Sequence, residues 1–365
     1  MFHGIRGIAQ AWFKSYLGNR QQYVELNGYR STTLPLPVGV PQGSILGPLL
    51  FLLYINDLPS ATNLKSVMFA DDTNLLIQGK NLDALTASLN SELEGINDYF
   101  KANQLKLNAK KTKMVIFRRK ALPAGHSQVD VFLDGEKLGI YDEAQFLGVT
   151  IDCTLNWERH CNKIANKISC NNSMLNRVKN LLPPPTLKLL YHSFIQSHVT
   201  YGLPAWEGCS AQNKKRIVTI QKRAIRTITK SYFSAHTEPR MKKLGLLKFE
   251  DLYQQQCLTL TYDCVYQRAP KKIRNLMQSQ PTLDYNLRGQ NLQSLDLKVP
   301  NLKTRAGSNS FAARGPAFWN GIPDETRKIE QRGLFIKTIK KSILEKYEHK
   351  SNCNNPRCRD RSHHV

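Results

Sequence analysis

Val67-Met68-Phe69-Ala70-Asp71-Asp72-Thr73-Asn74-Leu75-Leu76-Ile77 sets two adjacent carboxylates between two short apolar runs. Each run has strand length and is rich in β-branched or large apolar residues, and Asp-Asp suits a turn. The spacing predicts a tight β-hairpin with a doubly negative tip. Like charges held side by side resist ionising together unless a cation neutralises them. A hard divalent ion does so, and Mg²⁺ takes one or two protein carboxylates while keeping its other positions for water and phosphate oxygens. The motif therefore outlines a metal-assisted phosphoryl-transfer site or, read alone, an exposed acidic turn, and a short motif does not separate the two.

Upstream, Ile8 to Leu17 carries apolar residues at helical spacing and stops at Gly18-Asn19. Gln22 to Leu26 alternates and runs into Asn27-Gly28, a strong hairpin-turn signal, with strand pairing resuming near Ser31 to Leu36. In Val40-Pro41-Gln42-Gly43-Ser44, proline and glycine bracket a glutamine, and Ser44 is placed to cap the helix behind it. Gly43 lets another group approach closely, and the Gln42 amide is suited to reading a base or ribose; taken alone, the segment is simply a loop. Ile45 to Ile55, the longest nearly unbroken apolar run, falls short of the roughly twenty residues that span a bilayer. It reads as a buried helix. Downstream, Leu82 to Leu105 has the apolar periodicity of a long amphipathic helix. Val115 to Phe117 and Val129 to Leu133 read as strands, with a turn at Asp134-Gly135.

Four segments in order, Val40 to Pro48, Phe69-Ala70-Asp71-Asp72, Asn103 to Phe117 and Phe146-Leu147-Gly148-Val149-Thr150-Ile151, together resemble successive polymerase motifs of non-LTR retrotransposon reverse transcriptases, the jockey-like and related lineages. Gly4 to Gly7 and Asn19 to Val24 are similar to the segment before the Pro-Gln-Gly loop in that family. The resemblance covers residues 1 to about 152. It implies an α+β fold, a polymerase palm fragment of antiparallel sheet with packed helices, followed by an α-helical thumb and C-terminal region. Asp71 and Asp72 would be the catalytic metal ligands, with Mg²⁺ or Mn²⁺ as the ion. Gln42 and Gly43 would line the nucleotide and template side, and Leu147 and Gly148 would grip the primer. Lys111 best matches the lysine that approaches departing pyrophosphate, with Lys110 and Lys113 close alternatives. RNA template, DNA primer or target and deoxynucleoside triphosphate are the implied partners. Such chemistry uses two metal ions about 3.5 to 4 Å apart to clamp the attacking and leaving oxygens.

One departure stands out. The family's palm uses a third aspartate on a strand before the Pro-Gln-Gly loop, whereas Met1 to Gly39 has no aspartate and one carboxylate, Glu25. Asp57 comes after the loop and reads as the end of the buried helix. The fingers and endonuclease domain that precede the palm in the family are not found either. The expectation is a 5′-truncated element product, inactive alone.

Charge divides the chain. Its formal net charge is +24, and residues 1 to 200 hold 21 basic and 15 acidic side chains against 31 and 13 in residues 201 to 365. An excess of that kind favours nucleic acid, because neutralising phosphates releases condensed counterions. From Cys153 the segments read as helices with basic faces, a thumb and connection over 153–269, broken at Pro183-Pro184-Pro185. In Lys214 to Lys230, Ile217, Ile220, Ala224, Ile225 and Ile228 form an apolar stripe, and Lys215, Arg216, Lys222, Arg223, Arg226 and Lys230 lie largely away from it. That face is a duplex-contacting surface or an ordinary solvated one. Residues 270–365 read as a loop-rich spacer and basic tail, with packed elements at Phe311 to Trp319 and Leu334 to Tyr347.

Cys353, Cys358, His363 and His364 offer tetrahedral zinc four ligands, although the spacing is not that of a familiar finger. The eight cysteines lack the density of a small secreted framework, and Met1 to Gln10 lacks a signal-peptide pattern. An intracellular protein of nucleus or cytoplasm, without a membrane span, is expected. Two functions fit these features: an RNA-directed DNA polymerase, and a non-catalytic nucleic-acid-binding remnant of one.

Overall fold

A computed structural model describes residues 4–118, 129–277 and 296–347. The chain divides into two compact units, one of Met1–Met114 with Leu122–Ile140 and one of Val115–Ala121 with Tyr141–Val365.

The first unit opens with α1 (Gly7–Leu17), closed as expected at Gly18, whose N–H donates to Lys14 O at 2.9 Å. Short strands follow: β1 (Gln21–Gln22), β2 (Glu25–Leu26), β3 (Tyr29–Arg30) and β4 (Leu34–Pro35). Leu26 pairs with Tyr29 across Asn27 and Gly28, both at positive φ, the type I′ hairpin that Asn-Gly favours. Next come α2 (Leu46–Ile55) and the hairpin of β5 (Lys65–Phe69) and β6 (Asp72–Leu76). Then α3 (Leu82–Ala102) starts where Asn81 Oδ1 accepts the N–H groups of Asp83 and Ala84. On α3, Leu93 and Ile96 are buried, and Asn90 meets the next segment as a strand neighbour would. Its amide donates to Asp130 O and accepts from Phe132 N, each at 2.9 Å. The unit ends with β7 (Phe132–Leu133) and β8 (Glu136–Lys137), turned through Asp134-Gly135.

The expected antiparallel pairing is present, as separate two-stranded sheets among the described residues. Two sequence expectations change here. Val115 to Phe117 makes no strand, because β-branched residues need a partner edge and, among the described residues, the pairing beside them is a single parallel bridge from Met114 to Ile140. The helix expected to be buried is not: in α2 only Gly47 and Ile55 are buried, while Leu49, Leu52 and Tyr54 are about half exposed. An α2 that is apolar on all sides has more greasy surface than one neighbouring layer can cover.

The second unit begins with the hairpin of β9 (Glu143–Phe146) and β10 (Val149–Asp152), which the sequence motifs group with the palm but which clusters with the helices. Asp152 is the hinge to α4 (Glu158–Val178). Its Oδ1 accepts Thr154 N, Thr154 Oγ1 and Asn156 N, and its Oδ2 accepts Trp157 N. The prolines do more than break a helix, since Pro184 and Pro185 open α5 (Pro184–Tyr191), where a missing N–H costs nothing. A π turn over His192–Gln196 leads into α6 (Ser197–Thr200), and α7 (Leu203–Trp206) follows. Next come α8 (Ala211–Ile228), α9 (Glu238–Leu244) and α10 (Phe249–Val265). After α11 (Lys271–Arg274) and α12 (Arg305–Ser308), the expected last elements appear as α13 (Phe311–Asn320) and, after the unexpected short α14 (Asp324–Arg327), as α15 (Arg332–Glu345).

One apolar core joins these helices. Trp206, Tyr191, Phe249, Tyr262, Trp319 and Phe335 are almost wholly buried in it, so residues near the C-terminal end belong to the same body as α4 and α8. The expected apolar stripe of α8 is all buried. Among the described residues no helix is long and apolar enough to cross a membrane. Cys353, Cys358, His363 and His364 lie outside the described residues.

Candidate active site and nucleic-acid interface

The acidic hairpin forms as its sequence predicts. Five pairs run from Lys65 with Leu76 to Phe69 with Asp72, leaving Ala70 and Asp71 as a two-residue turn. Ala70 sits at φ 52°, in the region that two-residue hairpin turns demand at their first position. For a residue with a Cβ that region costs roughly 1–2 kcal/mol, so the turn is held in a conformation its own sequence does not favour. Asp71 and Asp72 are both exposed, and no hydrogen bond or ion pair is found for either carboxylate among the described residues. Two adjacent, unneutralised carboxylates are a donor set that suits one hard divalent ion. Asp71 and Asp72 would hold it, and it would supply charge neutralisation for a phosphate.

The Pro-Gln-Gly loop is a tight turn in which Ser44 N donates to Pro41 O at 3.3 Å. Gly43, at φ 81°, takes the third position, where only a residue without a Cβ is unstrained. Around it, space is open on the side where a Cβ would stand, and Gln42 is exposed beside it. Two residues whose roles sequence reasoning missed hold the loop. The first is Gly47, inside the first turn of α2, where an added Cβ would come within 3.0 Å of Ser44 Oγ and 3.4 Å of Pro41 O. The loop lies down against the helix because that notch exists, and Ser44 Oγ accepts Gly47 N at 3.0 Å, the capping role expected of it. The second is Arg20, whose Nε donates to Leu17 O at 3.2 Å and whose Nη2 donates to Val38 O at 3.2 Å and to Gly39 O. It ties the end of α1 to the strand of chain that enters the loop. A glycine so soon after a capping serine was the only signal of the notch.

Lys111 ends a short 3₁₀ turn, Ala109–Lys111, that Asn108 caps by accepting Lys111 N at 3.1 Å. Its side chain is exposed, as are those of Lys110 and Lys113. Leu147 and Gly148 are the two turn residues between β9 and β10, at φ 45° and 80°. A leucine in the left-handed region is strained, and the neighbour that compensates is Tyr201. Its hydroxyl donates to Leu147 O at 2.7 Å, and its ring stands 3.4 Å from where a Gly148 Cβ would be. Nothing in the spacing of the sequence points to Tyr201.

The basic residues of α8 separate into three kinds. Lys215, Arg216 and Arg223 line a polar groove of about 660 Å³ with Asn162, Asn166 and Ser169 of α4. There the Arg216 guanidinium is fixed by two amide oxygens, Asn162 Oδ1 at 2.6 Å and Asn166 Oδ1 at 2.8 Å. Lys222 is exposed elsewhere on the helix, and Lys230 is exposed just past its C-terminal end. Arg226, expected among the backbone contacts, donates its Nε to Ala235 O at 2.9 Å, with its guanidinium 5.8 Å from the Phe233 ring centroid.

Residues 3–151 match the family described as reverse transcriptase (RNA-dependent DNA polymerase). Among its relatives, an RNA-directed DNA polymerase from the mobile element jockey of Drosophila melanogaster is 27% identical over 252 residues, 66% of this chain and 27% of the relative. A probable RNA-directed DNA polymerase from transposon BS of the same species is 29% identical over 227 residues, 59% of this chain and 25% of its own length. Another, from transposon X-element, is 25% identical over 224 residues. The chain spans about a quarter of the length of these relatives. Since 66% of the chain exceeds residues 3–151, the likeness reaches into the helical unit.

Proposed function

We propose that this chain carries part of an RNA-directed DNA polymerase site, in which Asp71 and Asp72 bind the divalent ion that assists nucleotidyl transfer to a primer 3′-hydroxyl. The observation that carries the reading is the pair of exposed carboxylates, without partners among the described residues, at a strained two-residue turn and the first strand position after it. The open Gly43 loop supports it. A ten-residue α2 rises about 15 Å and a five-residue β5 extends about 17 Å, lengths that allow the hairpin tip to return to the level of Gln42 and Gly43. Lys111 would meet the departing pyrophosphate, and Leu147 and Gly148 the primer end.

Metal binding is separable from turnover. Titrating the protein with Mn²⁺ is expected to broaden the amide signals of Asp71, Asp72 and Gly43, and Asp71→Asn with Asp72→Asn to abolish the effect. Broadening elsewhere alone, or none, would overturn the reading. Because Glu25 is the sole carboxylate before residue 40, the chain by itself is proposed to bind the ion without templated synthesis. Extension of an RNA-templated primer that disappears in Asp71→Ala would refute that second part.

A non-catalytic nucleic-acid-binding reading has its own support. Between Glu207 and Glu238 lie thirty residues with seven lysines or arginines and no carboxylate. The two readings are compatible, and only templated synthesis distinguishes them.

A further inference from the structure

The loop that follows α8 shows an uncommon combination of bracing and exposure. Phe233 is 79% exposed and Tyr232 58%, yet the backbone that carries them is fastened at several points. Ala235, buried, closes a turn by donating its N–H to Tyr232 O at 3.0 Å, and its own carbonyl accepts Arg226 Nε at 2.9 Å. Arg240 grips the other side, its Nε donating to Ser231 Oγ at 2.6 Å and its Nη1 to His236 O at 2.6 Å. Solvated loops do not ordinarily hold two adjacent aromatic rings out into water on a fixed backbone, since the apolar area exposed is a standing cost.

The surroundings indicate what covers the rings. The loop lies within the thirty residues without a carboxylate, and Lys222 and Arg223 on the helix before it, with Lys230 in the turn that follows the helix, are exposed. The Arg226 guanidinium beside the Phe233 ring adds a cation to the platform itself. A polyanion with flat π faces satisfies both features at once, whereas an apolar protein surface would have to desolvate the cations. Unpaired bases are such faces; those inside a duplex are already stacked on each other.

We propose that Tyr232 and Phe233 form a stacking platform for unpaired bases of single-stranded nucleic acid, next to a basic helix that holds the strand's phosphates. The inference rests on the nucleic-acid reading of α8 but adds a separate site, for bases instead of backbone.

The test compares an unstructured mixed-sequence 12-mer with a blunt 12-base-pair duplex, by fluorescence anisotropy on the full chain at one fixed salt concentration. The Tyr232→Ala, Phe233→Ala double variant is expected to weaken single-strand binding about fivefold or more and duplex binding less than twofold. Both rings are exposed, so the fold is expected to survive, and an unchanged circular dichroism melt verifies this. Phe233→Trp should retain single-strand affinity, while Phe233→Leu, apolar without a π face, should lose it. Equal losses on both ligands, no loss on either, or full affinity in Phe233→Leu would overturn the platform. So would unaltered oligonucleotide binding accompanied by lost binding to phosphatidylserine vesicles. If the unsubstituted chain binds no oligonucleotide, the α8 reading itself fails, which is a different result.

Discussion

Asp152 shows how a single carboxylate fixes the start of a long helix. Burial alone would push its pKa up, but hydrogen bonds from Thr154, Asn156 and Trp157 outweigh that and hold it below the ordinary carboxylate value. A carboxyl whose pKa is depressed by folding stabilises the protein at pH above its unfolded value, near 3.9, and that stabilisation is lost as pH falls through the lower folded value. Asp152→Asn places an amide NH₂ or an oxygen where both carboxylate oxygens now accept, so one of the bonds must fail. It is expected to lower unfolding free energy at pH 7 by roughly 1–2 kcal/mol and to flatten the decline of stability below about pH 4. Urea melts at pH 7 and pH 3 check both, and an equal loss at the two values would assign Asp152 a merely steric role. At this scale the sequence was partly legible. Asp71, Asp72 and Gly43 stand out by residue type, whereas Tyr201 and Arg20 act across 54 and 18 positions of chain, a reach that no local pattern encodes.

Among the elements, turns were the most legible and burial the least. Asn27-Gly28 and Asp134-Gly135 form type I′ hairpins because those residues tolerate positive φ. Leu147-Gly148 forms one although leucine does not, so its hairpin required pairing information from β9 and β10. The strand expected at Val115 to Phe117 failed for the converse reason, good propensity without an edge to join. Gly47 allows the Pro-Gln-Gly loop to be tested as an element. Alanine there favours the helix by about 1 kcal/mol over glycine but brings a Cβ to 3.0 Å from Ser44 Oγ. Gly47→Ala is therefore expected to leave the melting temperature unchanged or slightly raised while shifting the amide resonances of Gln42, Gly43 and Ser44. Resonances that stay in place would mean that the loop does not depend on the notch.

Over the whole molecule, the charge asymmetry visible in composition lands on the helical unit, where Lys215, Arg216 and Arg223 face one groove. Each phosphate contact removed should lower the steepness of log K against log salt by nearly one. Replacing these three residues by alanine is expected to reduce the slope by about two to three, with little change in base preference. An unaltered slope would show that the groove is not where the backbone lies. What composition did not reveal is that elements between residues 297 and 347 share a core with α4, since that depends on Phe335 stacking on Tyr262 and Trp319 packing on Phe335.

A leucine-lined cylinder such as α2 gains almost the same burial however it is rolled about its axis. The hydrophobic effect therefore cannot choose its orientation, and two small contacts are left to act as an index pin: the Gly47 notch at one end and the Tyr54 hydroxyl donating to Asn103 O at 2.6 Å near the other. Since the loop is joined directly to this helix, the aim of Gln42 is set by that pin instead of by greasy packing.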